Sequence, residues 1–130
     1  MIRKFQAYKK MHITTAAPGD LVVMLYDGLV RFTRTAQRAL NAQLYTDAGQ
    51  AIDKALAIIG HLQESLDDSA SPELTRTLDT TYAAWSTNLV RANIRKDTEA
   101  LGKLAEQMAG LRDAWREVNK QAQAQLAEGA

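Results

Sequence analysis

The stretch DTEALGKLAEQMAGLRDAWREVNKQA, residues 97–122, decides the fold. Its apolar positions Leu101, Leu104, Met108, Leu111, Trp115, Val118 and Ala122 are separated alternately by three and four residues. That spacing is the a/d pattern of left-handed helix packing, so the segment is a helix that must bury a stripe against other helices. Asp97 stands ahead of it as a good N-cap.

Working outward, the two prolines, Pro18 and Pro72, each precede a long stretch of three- and four-residue apolar spacing. Proline suits a first helical turn, because its missing N–H would be unpaired there and its fixed φ already fits. Ser71 precedes Pro72 as an expected side-chain cap, and Glu73 complements the helix dipole. The helix after Pro72 carries Leu74, Leu78, Tyr82, Trp85, Leu89 and Ala92 on its core face. Between the prolines, Thr46 and Asp47 open a segment in which Ile52, Leu56, Ile59, Leu62 and Leu66 share a face, ending in a turn over 67–71. No stretch alternates with period two, so no strand is predicted. Four helices of roughly 22 to 28 residues, each about 33 to 42 Å long, follow from this spacing. Short links make sequential helices antiparallel. The expected fold is therefore all-α, an antiparallel up-down four-helix bundle over residues 17–126. A partly ordered N-terminal arm is expected over 1–16 and a frayed end over 127–130.

Length and composition narrow the function. One domain is expected from 130 residues. A net charge of +1 disfavours a nucleic-acid platform. The absence of cysteine removes disulfides, thiolate zinc sites and thiol nucleophiles, and fits a reducing compartment. No apolar run approaches membrane-spanning length, and the basic N-terminus has no apolar region behind it. A cytoplasmic chain without membrane insertion is expected.

Chemistry has few candidates. His12 falls in the arm and His61 beside core positions of the second helix, where a histidine is ordinarily a half-buried side chain. Di-iron bundles need two inward Glu-x-x-His pairs. Here His61 and Glu64 stand in the reverse order, once. Gly28, Gly60, Gly102 and Gly110 are isolated within helices and form no phosphate loop. No catalytic residue, metal or cofactor is expected, and the chain reads as a binding protein rather than an enzyme.

The helix after Pro18 carries more apolar surface than one bundle face uses. At 100° per residue, Leu21, Met24, Leu25, Gly28, Leu29, Phe32 and Ala36 share a broad face, read as the core. Val22, Val23, Tyr26 and Val30 lie beyond it, leaving a polar strip of Asp20, Asp27, Arg31, Arg34 and Arg38. On the third helix Ala83, Val90 and Ile94 form a separate strip, and the two strips are read as the borders of one external groove. Two covers are open: the chain's own arm, through Phe5, Tyr8 and Ile13, or a partner that displaces it. On this reading Tyr26→Asp or Val30→Asp leaves melting nearly intact.

The residues resemble a known family. Tyr8, Ile13, Thr15-Ala16-Ala17-Pro18-Gly19-Asp20-Leu21, Met24-Leu25-Tyr26-Asp27-Gly28 and Arg31-Phe32 are similar to the opening signature of the FliS family of flagellin-specific export chaperones. Leu89-Val90-Arg91-Ala92-Asn93-Ile94-Arg95-Lys96-Asp97 resembles its junction between third and fourth helices, and Leu111-Arg112-Asp113-Ala114-Trp115 its late motif. The likeness runs over residues 8–118. One departure is Ala17, where the family commonly has serine or threonine; losing that cap is worth about 1 kcal/mol. The resemblance implies a cytosolic chaperone that binds the disordered C-terminal segment of flagellin, prevents premature polymerisation and assists delivery to a flagellar export gate component. It implies a partner surface drawn from Tyr8, Ile13, Val23, Tyr26, Val30, Val90, Asn93 and Ile94. The alternative is a generic helical adaptor, or a homodimer that buries the strips against its own copy.

Overall fold

The computed structural model describes residues 11–129. They form α1 (Gly19–Asn41), α2 (Tyr45–Glu64), α3 (Pro72–Arg95) and α4 (Thr98–Gly129). Helix α1 packs on α2 and α4, and α3 packs on both of the same helices. Sequential helices are thus neighbours and α4 closes the ring on α1. The α1–α4 pair is antiparallel: Asp27 meets Arg116, while ten residues later Gln37 reaches back to the Thr98 carbonyl. This is the expected four-helix bundle. Helix α4 continues to Gly129, past residue 126. Its last buried residue is Val118, and the alanines, glutamines and glutamate that follow propagate the helix by propensity more than by packing.

The helix starts differ in how their free N–H groups are met. Asp97 caps α4 as expected, its Oδ1 accepting the Ala100 N–H at 3.0 Å. Pro72 occupies the first turn of α3, but Ser71 makes no side-chain cap; instead its carbonyl accepts the Thr75 hydroxyl at 2.9 Å. Helix α1 has no side-chain cap. Thr15 Oγ1 accepts the Ala17 N–H at 3.2 Å, which is too early in the chain to serve the helix. What anchors this entry is the α2–α3 loop. Ala16 donates to the Ser65 carbonyl at 2.8 Å and Asp67 to the Thr14 carbonyl at 2.7 Å, around a bridge between Thr15 and Leu66. Thr14 is fully buried there.

The core of α2, α3 and α4 follows the sequence stripes, with Ile52, Ile59, Leu62, Leu78, Tyr82, Trp85, Leu89, Leu101, Leu104, Met108, Trp115 and Val118 buried. Helix α1 does not follow its expected stripe. Its buried residues are Val22, Tyr26, Leu29, Val30, Thr33, Ala36 and Leu40, together with Ala39 and Gly28. Leu21 and Met24, expected inside, are exposed, and Leu25 and Phe32 are half-buried. The face is turned because polar groups, not apolar ones, choose it. Tyr26 is 0% exposed, and its hydroxyl meets that of Tyr82 at 2.7 Å. Its ring lies 6.2 to 6.4 Å from those of Tyr82, Trp85 and Trp115, the range of favourable aromatic pairs. Thr33 is equally buried and is satisfied by the Leu29 carbonyl at 2.8 Å. Asp20 and Asp27 meet Asn119 and Arg116 of α4, fixing which side of α1 that helix covers.

Burial raises the pKa of both core tyrosines, pushing Tyr82 up to about 12 and Tyr26 further, with Tyr82 adding to the shift at Tyr26. Below pH of about 10 both hydroxyls are protonated folded and unfolded, so the pair makes stability independent of pH. Above it only the unfolded chain releases these protons. Stability should then fall from about pH 10 toward 12, by up to about 1.4 kcal/mol per pH unit for each tyrosine. Urea midpoints at pH 8, 10 and 11.5 check this; an unchanged slope in Tyr82→Phe would remove the tyrosines as its cause.

Candidate partner-binding surface

The surplus apolar surface exists, but on another side of α1 from the one expected. Leu21, Leu25, Gly28 and Phe32 succeed one another by four, three and four residues and so line one side of the helix. On that side Lys54 of α2 lies 5.4 Å above the Phe32 ring, and a β-carbon at Gly28 would stand 3.0 Å from Ile58 Cδ1. Gly28 therefore admits a side chain of the neighbouring helix, not another backbone. The strip borders the α1–α2 seam, and Met24, one turn on from Leu21 at its outer edge, is 68% exposed. Ile13, also exposed, leaves the arm at this same end, beside the α2–α3 loop.

The α3 strip is placed as expected, with Val90 exposed and Ile94 72% exposed. Asp79, Ala83, Val90 and Ile94 lie along one side of α3. The first of these accepts a hydrogen bond from Gln63 of α2 at 3.3 Å, so this side borders the α2–α3 seam. Asn93 is half-buried beside it, its carbonyl accepting the Lys96 N–H. The two strips thus do not line one groove: they flank α2 from either side. They also lie toward opposite ends of the bundle. Gly28 meets α2 at Ile58, whereas Lys96, two residues beyond Ile94, sits 4.6 Å above the ring of Tyr45 at the start of α2. The 13 residues from Tyr45 to Ile58 correspond to about 20 Å along the axis.

Among the remaining candidates, Tyr26 and Val30 belong to the core and Val23 is half-buried. Spacing alone assigns them to an outer strip, because α1 is apolar around most of its girth. Tyr8, like Phe5, lies outside the described residues. Spacing assigns Leu21 and Met24 to the inside and gives no signal for Leu44 and Tyr45, both exposed at the α1–α2 corner. A usable signal was the pair Asp20 and Asp27, seven residues apart, opposite Arg116 and Asn119. It marks the α4 side of α1 and leaves Leu21 and Met24 on the other. His61 is exposed, not half-buried. Among the described residues no three metal-ligating side chains converge, and no helix is long and apolar enough to cross a membrane.

The chain is similar to proteins of one family. A family described as "Flagellar protein FliS" matches residues 1–122. The chain is 32% identical over 113 residues to the flagellar secretion chaperone FliS of Bacillus subtilis, covering 87% of this chain and 84% of that one. It is 31% identical over 117 residues to the Escherichia coli protein of the same name, 86% of each chain. It is 30% identical over 103 residues to the flagellar secretion chaperone FliSB of Pseudomonas aeruginosa, covering 79% and 82%.

Proposed function

The chain belongs to the FliS family of flagellar secretion chaperones, and from that premise we propose that it binds the C-terminal segment of flagellin in the cytoplasm and holds it for export. The observation that supports this reading best is the pair of apolar strips on either side of α2, led by Met24 and Ile94. Their separation of about 20 Å suits a long segment crossing α2 better than a compact ligand in one pocket. A segment disordered when free carries apolar stripes that would otherwise pair with other subunits, and covering them blocks polymerisation. Ordering it costs several kcal/mol, so affinity has to come from a broad wrapped surface. Nothing in that cycle calls for hydrolysis by the chaperone, and the complex is then passed to the export gate. On this reading the exposed Ile13 clasps an incoming segment or competes with it.

Calorimetry and sedimentation with the C-terminal peptide of the same organism's flagellin test the reading. Binding heat and a heavier sedimenting species at one peptide per chain are expected. No heat and no shift would overturn it. A shift that the chain shows alone, growing with its own concentration, would favour the self-associating alternative.

A further inference from the structure

The side of the bundle away from α2 carries a groove apart from both apolar strips. Between α3 and α4 runs a groove of about 230 Å³, with Arg91 and Arg95 on one wall and Lys103 and Gln107 on the other. Its floor is apolar, formed by Ala92 and Leu104. Arg91 and Arg95 are one turn apart on α3, and Lys103 and Gln107 one turn apart on the facing helix, so the four heads form two opposed pairs.

Three cations around one groove normally find carboxylates, but among the described residues none of these three has an acidic partner within salt-bridge distance. Asp97, the one acid lining the groove, accepts the Ala100 N–H through Oδ1 and leaves the three cations in excess. Glu99 and Glu106, on the same stretch of α4, do not line it. Gln107 is set in one sense, because its Oε1 accepts the indole N–H of Trp85 at 3.2 Å. Its amide N–H₂ is left as a donor at the groove. The groove therefore presents donors and positive charge, with an acceptor already spoken for.

We propose that this groove docks an acidic segment of a partner protein, one whose carboxylates pair with Arg91, Arg95 and Lys103 while an apolar side chain rests on Ala92 and Leu104. Guanidinium forks match carboxylates in two-point contacts. A nucleic acid or an anionic membrane fits less well. Either needs an extended basic face, whereas this chain has a net charge of +1 and carries Glu99, Glu106 and Asp113 along the same helix. No aromatic ring lines the groove to stack a base. Because α2 lies on the other side of α3, an acidic partner and an apolar client can be held together.

The full chain, labelled with nitrogen-15, is titrated with a blocked eight-residue peptide of glutamates and one leucine. Parallel titrations use inorganic phosphate, phosphatidylglycerol vesicles and single-stranded RNA. Saturable shifts at the Gln107 side-chain amide and the Trp85 indole N–H are expected with the peptide, and weaker ones with the other three. Arg91→Glu with Lys103→Glu should weaken the peptide by about tenfold or more. The equally large charge change Arg34→Glu with Lys120→Glu, outside the groove, should not. The milder pair Arg91→Gln with Lys103→Gln must give the same ranking if the reversal perturbs the fold. Equal losses in both reversals, no response at Gln107, or a stronger response to phosphate, vesicles or RNA would overturn the assignment. None of these outcomes bears on flagellin binding, which the earlier titration reads separately.

Discussion

Tyr26→Asp is expected to abolish cooperative folding. Tyr26 is fully buried at the point where α1, α3 and α4 meet, packed against Tyr82, Trp85 and Trp115. Truncating a buried aromatic costs about 3–5 kcal/mol in lost transfer and cavity terms. The carboxylate must in addition enter an apolar site or take up a proton to do so. Together these match the whole stability of an ordinary domain, about 5–15 kcal/mol. The gentler change is more informative. Tyr26→Phe leaves the Tyr82 hydroxyl buried without its partner, at a cost of about 1–3 kcal/mol. Removing both hydroxyls leaves neither group stranded, so the Tyr26→Phe/Tyr82→Phe double variant should lose less than the two single losses summed. Urea melts followed by circular dichroism measure all four chains. Additive losses would show that the 2.7 Å contact carries no coupling.

The same residue shows what the sequence could and could not disclose. Helices α2 to α4 each have one dominant apolar stripe, so spacing alone picks the buried face. Leu78, Tyr82, Trp85 and Leu89 go inward with no competitor. Val90 and Ile94, off that stripe, stay outside for the same reason. Helix α1 offers apolar residues on most sides, and the choice falls to pairings that exist only once the other helices are in place. Those are the Tyr26 hydroxyl on Tyr82, Asp27 on Arg116, and Asp20 on Asn119. A tyrosine buried by its hydroxyl partner and one exposed for a ligand look alike in a sequence. The surplus of apolar surface was therefore legible, while its address was not. Caps divided in a similar way. Asp97 acts where its position predicts, but Ser71 takes part only through its carbonyl, which accepts the Thr75 hydroxyl, and its own hydroxyl makes no cap.

Met24→Asp and Ile94→Asp are expected to cripple client capture without touching the fold, and their combination reads how the client lies. Both side chains are more than two-thirds exposed, so charge there should change stability by about 0.5 kcal/mol or less. In a complex that covers them, each loses the burial of a large apolar side chain, about 1.5–3 kcal/mol. Each single variant should then weaken flagellin-tail binding by about ten- to a hundredfold, as read by calorimetry. The two positions lie about 20 Å apart along the bundle and share no contact, so their effects on a ligand that spans both should add. A client confined to the α1–α2 seam would feel Met24→Asp and ignore Ile94→Asp, and one confined to the α2–α3 seam would do the reverse. A self-associating chain would show its defect in sedimentation with no peptide present. Full additivity with unchanged melting would mean that one segment crosses α2 from seam to seam. In that arrangement α2 becomes the rail over which the client is laid.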